Sequence, residues 1–450
     1  MTEPELPQDE ERVDEAEQPA RDAMTLHPLY RGKVEVALKA PLRGLDDFAI
    51  WYTPGVAAPC KAIAADRDQV YLHTNKGNTV AVVSDGSRVL GLGDIGPEAG
   101  LPVMEGKALL FKYLGGVDAW PIMLDVHTPD AIIQAVRSIQ PGFGGINLED
   151  IATPKCFLVL DSLREELPIP VFHDDQQGTA TVTLAGLLNA LEVVGKNLEE
   201  VSIAFIGAGA ANTAIAELVF AAGANPARCR MADVHGLLHP GRTDFETGQP
   251  ATARQWTLCQ TTNTAGRSGG TAEALRGADV AIALSKPGPD TLLPAWITAM
   301  AKDPIVFACA NPVPEIWPWE AQEAGAAVVA TGRSDFPNQV NNALGFPGIF
   351  RGALDVRASR ISDGMCLAAA DELARMAAEK GLSRSRILPS LDEWNVAPRV
   401  AAAVAARAVE EGHARIPRSY KQELEAAQTI ILRSRQLTQT MMDEGLIRLP

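Results

Sequence analysis

Six short apolar runs punctuate the middle of the chain: "PIPVF", "VSIAFIG", "RCRMAD", "ADVAIAL", "PIVFACA" and "AAVVAT". Each is bounded by turn residues and lacks the polar alternation of a half-buried strand. Such runs are covered on both faces, as are strands of a parallel sheet flanked by helices. Helical patterns fill the intervals, so residues 156–390 are expected to form a doubly wound α/β unit. Before it, residues 24–155 mix short strands such as "NTVAVVSDG" with Gly/Pro-rich loops and a helix from about Glu105 to Tyr113. After it, residues 391–450 read as helices that pack back on the body or on another subunit. The last is the charged, amphipathic "SYKQELEAAQTIILRSRQLTQTMMDEG".

At 450 residues, 46% hydrophobic and 21% charged, the chain can bury a large core in two or three domains. A net charge of −16 argues against a nucleic-acid surface. Part of that charge is local: residues 1–22 carry nine acidic and two basic side chains with three prolines. Residues 1–23 are therefore expected to be a disordered acidic tail. The tail lacks the basic start and apolar run of a signal peptide, and no later stretch approaches a membrane span. Cys60, Cys156, Cys229, Cys259, Cys309 and Cys366 form no CxxC pair and read as small buried hydrophobes in a reducing cytosol. A cytoplasmic protein is expected.

"VSIAFIGAGAANTAIAELVFAAGA" reads as a strand, a turn at Gly207-Ala208-Gly209 and a helix from about Ala210. The first glycine permits a tight bend, and the second lets backbone amides approach a pyrophosphate at the positive end of the helix. The third position of this Rossmann-type fingerprint is Asn212 instead of glycine, although Ala211 and Ala214 keep that face small. Asp233 closes the next strand, where an acid binds adenosine ribose hydroxyls. Gly207, Ala208, Gly209, Ala210, Ala211, Asn212 and Asp233 are thus candidate cofactor-binding residues. Asp233 favours NAD+, because a carboxylate repels a 2′-phosphate, but His235 stands two residues on and leaves NADP+ open.

Two acidic pairs stand out: Glu149 and Asp150 in "GFGGINLEDIATP", and Asp174 and Asp175 in "IPVFHDDQQGTATVTLAGLL". Glu149, Asp150 and Asp175 offer three oxygen ligands, enough for Mg²⁺ or Mn²⁺ with positions left for substrate and water. Spacing alone leaves two unrelated solvated turns as the alternative. The surrounding residues carry more. "YTPGVAAPC", "TNKGNTVAVVSDGSRVLGLGDIGPEAGLPVMEGKALLFK", "FGGINLEDIATPKCF" and "FHDDQQGTA" resemble the amino-terminal half of a malic enzyme. "GAGAAN", "ACANPVPEI" and "TGRSDFPNQVNNALGFPGIFRGALD" resemble its carboxy-terminal half. The resemblance spans about residues 25–412 and is to the short bacterial form, without a phosphotransacetylase-like extension.

That resemblance implies oxidative decarboxylation of L-malate to pyruvate and CO₂, with reduction of NAD+ or NADP+ and dependence on a divalent cation. It assigns residues 24–155 to an N-terminal malic-enzyme domain beside the Rossmann-type domain. Tyr52 corresponds to the general acid, Lys107 to the general base, and Glu149, Asp150 and Asp175 to the metal ligands, with Asp174 orienting a neighbour. A lysine serves as base near neutral pH if burial and a nearby metal depress its pKa. Arg88 is a candidate clamp for a malate carboxylate. Asn311, Asn341 and Asn342 match positions that meet substrate or nicotinamide, with loop-capping asparagines as the plain alternative.

Gln176 and Gln177 depart from the DDQH or DDIQ of many bacterial members, with little expected effect on the metal. Residues 240–271, rich in Thr and Gly, read as a surface loop. Relatives are dimers or larger, which implies a homo-oligomer and leaves open whether Tyr52 acts across a subunit interface. A malolactic enzyme uses similar residues. A silent nucleotide-sensing relative is disfavoured by the intact Tyr52, Lys107 and three acids. A simple 2-hydroxy-acid dehydrogenase would need a His/Asp pair in a context that His173 lacks.

Overall fold

The computed structural model describes residues 9–245 and 252–450, and two sheets organise them. The first contains β1 (Thr79–Ser84), β2 (Asp118–Met123), β3 (Gly145–Leu148) and β4 (Val171–His173), all parallel in the order β2-β1-β3-β4. The second contains β5 (Ile203–Ile206), β6 (Arg230–Asp233), β7 (Gly236–Leu237), β8 (Val280–Ala283), β9 (Ile305–Ala308) and β10 (Val328–Thr331). Its order is β10-β9-β8-β5-β6-β7, parallel except for β7, which runs antiparallel to β6. The chain leaves β5 towards β6 on one side and returns to β8 on the other. Strand order therefore reverses between β5 and β8, where a doubly wound sheet opens its ligand crevice.

One strand falls elsewhere than expected. "PIPVF" supplies β4, which pairs with β3, Val171 opposite Ile146, and so closes the first sheet instead of joining the second. An apolar run records that both faces are covered but not which neighbour covers them. The correction matters, because parallel strands finish on the same edge. β1, β3 and β4 are adjacent, and from their ends leave the segments carrying Asp85 and Arg88, Glu149 and Asp150, and Asp174 and Asp175.

The helix expected over 105–113 runs over Gly96–Gly115, with Pro97 in its first turn and left-handed Gly116 (φ 62°) at its end. Gly100, Pro102 and Gly106 mask its first half in the sequence. Met104, Lys107, Ala108 and Phe111 form its buried stripe. Residues 240–271 are not wholly a surface loop: Ala253–Thr261 is a helix that buries Leu258 and Cys259, while residues 246–251 lie outside the described residues. Residues 9–23, expected as part of a disordered tail, lie in a helix over Asp9–Tyr30 that carries Pro19 in its interior. Residues 1–8 of that expected tail lie outside the described residues. Five cysteines are buried as expected; Cys60 is exposed.

The C-terminal helices pack back on the body. Phe346 and Phe350, on helix Phe346–Asp355, meet Phe111 at 4.6 and 5.2 Å, and Phe350 meets Phe172 at 5.5 Å. Ser434, on helix Tyr420–Asp443, donates to the Lys112 carbonyl at 2.8 Å. At the amino-terminal end the surface stays apolar: Leu38, Leu45, Phe48, Ile50 and Trp51 are exposed.

Helices Phe346–Asp355 and Val396–Glu410 approach backbone to backbone, and a Cβ on Gly352 would lie 2.3 Å from the Ala401 carbonyl oxygen. Gly352→Ala is expected to cost about 1–3 kcal/mol through overpacking. A lowered urea midpoint at unchanged slope measures it, and an unchanged midpoint would show that the crossing has room.

Candidate active site

The edge formed by β1, β3 and β4 gathers charge where water is scarce. Lys107 Nζ lies 2.9 Å from Glu149 Oε1 and donates a short hydrogen bond to Asp174 Oδ2, with all three side chains buried. It also stands 4.4 Å from the Phe346 ring centroid, a cation–π contact. Asn147 donates to Glu149 Oε2 at 2.8 Å, and the Asp150 amide donates to Asp175 Oδ2 at 2.8 Å. Asp150 itself adopts a left-handed φ of 52°. Its carbonyl accepts from the Arg88 amide at 3.1 Å, which ties the β1 loop to the β3 loop.

Asp174–Gly178 forms a π-helical turn, in which the Thr179 amide reaches back to the Asp174 carbonyl. Glycine is required at its end, because a Cβ on Gly178 would sit 1.8 Å from Asp174 Oδ1. Turn and carboxylate are thus fitted to each other. The turn aims Asp174 at Lys107 and brings Asp175 Oδ2 to the Asp150 amide, answering why two acids stand side by side.

The electrostatics are those of crowded carboxylates. Burial, with repulsion from Glu149, pushes Asp174 up to about 7. Burial raises Glu149 and Asp150 as well, helped by Asp175, and burial with Asp174 raises Asp175. Burial and the Lys107 charge push His173 down to about 3, so its ring is neutral and its 3.7 Å approach to Asp175 is no ion pair. Lys107 is pulled two ways in the chain as it stands without a cation. Burial works against its charge, but Asp174 and Glu149 together outweigh burial and hold it above the ordinary lysine range.

Whether this cluster fits a cation can be judged from its oxygens. Asp150 Oδ2 and Asp174 Oδ1 are buried without a hydrogen-bond partner, and the donor set is all oxygen, which suits Mg²⁺ or Mn²⁺. Among the described residues, however, no three His, Cys, Asp or Glu side chains converge as a finished metal site. The Lys107 ammonium engages Glu149, and a backbone amide engages Asp175. The residue types would suit a divalent cation, while the side chains as placed do not converge on one point.

The other expected residues divide. Arg88 is exposed; its guanidinium donates to the Leu90 carbonyl at 2.7 Å, and its charge is felt by Asp175. Asn342 lies against the Asp174 turn, close enough to its carboxyl to favour the charged form. Asn341 caps the following turn through the Ala343 amide at 2.9 Å, the plain alternative for such an asparagine. Asn311 marks the meeting of the two sheets' loops: a Cβ on Gly91 would lie 2.2 Å from its carbonyl oxygen. Tyr52 is 71% exposed, and no hydrogen bond links its hydroxyl to the cluster among the described residues.

At the crevice of the second sheet, Gly207 has a φ of 103°, and a Cβ there would stand 2.6 Å from the Leu284 carbonyl oxygen. The Asn212 carboxamide donates beneath the turn to the carbonyls of Ile206 (2.8 Å) and Gly207 (3.1 Å). It therefore braces the bend from the position where the fingerprint has glycine. The helix Ala210–Ala221 starts here with Gly209 as an N-cap that uses no side chain, so its first amides face the crevice. Asp233 ends β6 but is paired with Arg242 at 2.7 Å, a partner that sequence reasoning missed because it lies in the loop beyond β7.

A dinucleotide-binding crevice joined to a buried lysine–carboxylate edge defines a dinucleotide-dependent oxidoreductase. Residues 31–164 match the family description "Malic enzyme, N-terminal domain", and residues 176–409 match "Malic enzyme, NAD binding domain". The chain is 49% identical over 395 residues to the bifunctional malic/malolactic enzyme of Bacillus subtilis (strain 168), covering 88% of this chain and 94% of that one. It is 51% identical over 385 residues to the NAD-dependent malic enzyme of Geobacillus stearothermophilus, covering 85% and 78%. Its structure matches that of the Entamoeba histolytica malic enzyme with a TM-score of 0.97 at 47% identity, covering 100% of this chain and 93% of that one. The chain belongs to the malic enzyme family.

Raised carboxyls carry a pH signature. Burial raises the carboxyls of Glu149, Asp150 and Asp174 above their unfolded values, so their contribution to stability is lost progressively as pH rises from about 4. A divalent cation binds the deprotonated forms. Mn²⁺ is expected to raise the unfolding temperature more at pH 8 than at pH 5.5, measured by thermal melts; equal shifts would remove the cation from this cluster.

Proposed function

We propose that the chain oxidatively decarboxylates L-malate to pyruvate and CO₂ while reducing NAD+ or NADP+. The observation that carries this is the buried Lys107, set between Glu149 and Asp174 beside a dinucleotide-binding crevice. Lys107 accepts the proton of the 2-hydroxyl as the C2 hydride leaves for the nicotinamide. The C3–C4 bond then breaks with loss of CO₂, and Tyr52 returns a proton to C3 of the resulting enolate. Asp174 fixes Lys107 Nζ towards the substrate, and Arg88, Asn311 and Asn342 orient the malate carboxylates and carboxamide-facing cofactor at the same mouth. Asn341 supports that mouth by capping its turn.

Glu149, Asp150 and Asp175 would hold Mg²⁺ or Mn²⁺, a reading supported by their raised pKa values and by the unpartnered Asp150 oxygen. When bound, the cation would polarise the substrate oxygen, stabilise the enolate and draw off the carboxylate charge that keeps Lys107 protonated. The turn Gly207–Asn212, with Asp233, takes the dinucleotide.

Tyr52 stands among exposed apolar side chains, Phe48, Ile50 and Trp51, which supports a homo-oligomer in which it serves the cleft of a second copy. Six unpaired thiols support a reducing, cytoplasmic setting. No helix among the described residues is long and apolar enough to cross a membrane. A malolactic activity is a second reading, favoured by the Bacillus subtilis relative being a bifunctional malic/malolactic enzyme.

The test is incubation with L-malate, Mn²⁺ and either NAD+ or NADP+, following reduced nicotinamide and assaying pyruvate and lactate. Pyruvate formed with reduced cofactor is expected. Lactate without net reduction would shift the reading to malolactic activity, and no product would overturn both. Lys107→Ala is expected to lower turnover about 100- to 10,000-fold with dinucleotide affinity within a few-fold. Affinity lost together with turnover would make Lys107 structural.

A further inference from the structure

The adenosine end of the crevice holds a charge arrangement that sequence motifs do not record. Arg242 lies against Asp233, and every one of its five guanidinium N–H groups is taken. Nε donates to Asp244 Oδ1 at 2.6 Å. Nη1 donates to Asp233 Oδ1 at 3.1 Å and to the Gly236 carbonyl at 3.3 Å. Nη2 donates to Asp233 Oδ2 at 2.7 Å and, in a short contact, to Asp244 Oδ2. The Phe245 ring, 5.0 Å from the guanidinium carbon, holds the plane in place.

Two consequences follow. Asp233 Oδ1 is occupied twice, by Arg242 and by the His235 amide at 2.8 Å, but among the described residues Oδ2 accepts only from Arg242 and keeps a lone pair for a ribose hydroxyl. The three charged groups, two carboxylates and one guanidinium, sum to one negative charge. A 2′-phosphate brings about two more negative charges and finds no free guanidinium donor, whereas a 2′-hydroxyl can donate to Asp233.

We infer that Asp244 is a specificity-determining residue: by occupying Arg242 it makes the adenosine-ribose pocket select NAD+ over NADP+. This rests on the dinucleotide-dependent reading above. Asp244 is the partner that can be removed without uncovering Asp233. Its side chain is 42% exposed while that of Arg242 is 9% exposed, and the two N–H groups it occupies, on Nε and Nη2, are adjacent on one edge of the guanidinium. Once released, they become a bidentate donor pair of the kind that binds phosphate.

The experiment is equilibrium binding of NADH and of NADPH to the full-length protein, read by nicotinamide fluorescence, for the native chain, Asp244→Asn and Asp244→Glu. The native chain is expected to bind NADH at least about tenfold more tightly than NADPH. In Asp244→Asn the affinity ratio is expected to move about tenfold towards NADPH, while Asp244→Glu keeps the native ratio. Equal or tighter NADPH binding by the native chain, or an unchanged ratio in Asp244→Asn, would overturn the assignment and leave the enzyme reading intact. A native chain that binds neither dinucleotide would overturn the enzyme reading itself.

Discussion

The contact on which the site depends is a single buried ammonium held between two carboxylates. Lys107 comes from the middle of helix Gly96–Gly115, Glu149 from the end of β3 and Asp174 from the end of β4, so three separate segments meet on one charge. Burying a lysine alone is costly, and burying acidic pairs without a counter-charge is costlier. Each therefore stabilises the other's burial, and the proton sits firmly on the lysine until something else takes over the carboxylates.

Rigid surroundings keep this charge in place. Phe346 lies under the Lys107 ammonium and against Phe111, and Phe350 reaches Phe172 just before the Asp174 turn. A helix from the far side of the sequence thus supports both the lysine and the acid it pairs with. Gly348 and Gly352 let that helix press onto Val396–Glu410, so the C-terminal helices form the back wall of the site. At the front, Gly91 lets the β1 loop touch Asn311, which brings the carboxylate edge against the loops of the second sheet.

The two ends of the crevice handle charge differently. At the Lys107 edge, acids outnumber bases in a dry place. At the end of β6, Asp233 is paired with Arg242, and Arg242 is itself shared with a second carboxylate, Asp244.

Much of this was legible in the chain itself. The strand, Gly207-Ala208-Gly209 turn and helix are local features, set by glycine's freedom and apolar runs, and they appeared where the sequence put them. Tyr52, Lys107 and the acids could be picked out because their motifs resemble a family's. Other features were settled by contacts between distant segments. β4 joined the first sheet because β3, not β5, offered it a hydrogen-bonding edge, and only then did Asp174 reach Lys107. Arg242 found Asp233 across nine residues, through a loop whose composition gave no sign of it. Sequence fixes residue types, local bends and periodicity, since those depend on neighbours along the chain. Proton affinity, pairing partners and the exposure of Tyr52 depend on neighbours in space, and only the tertiary structure decided them.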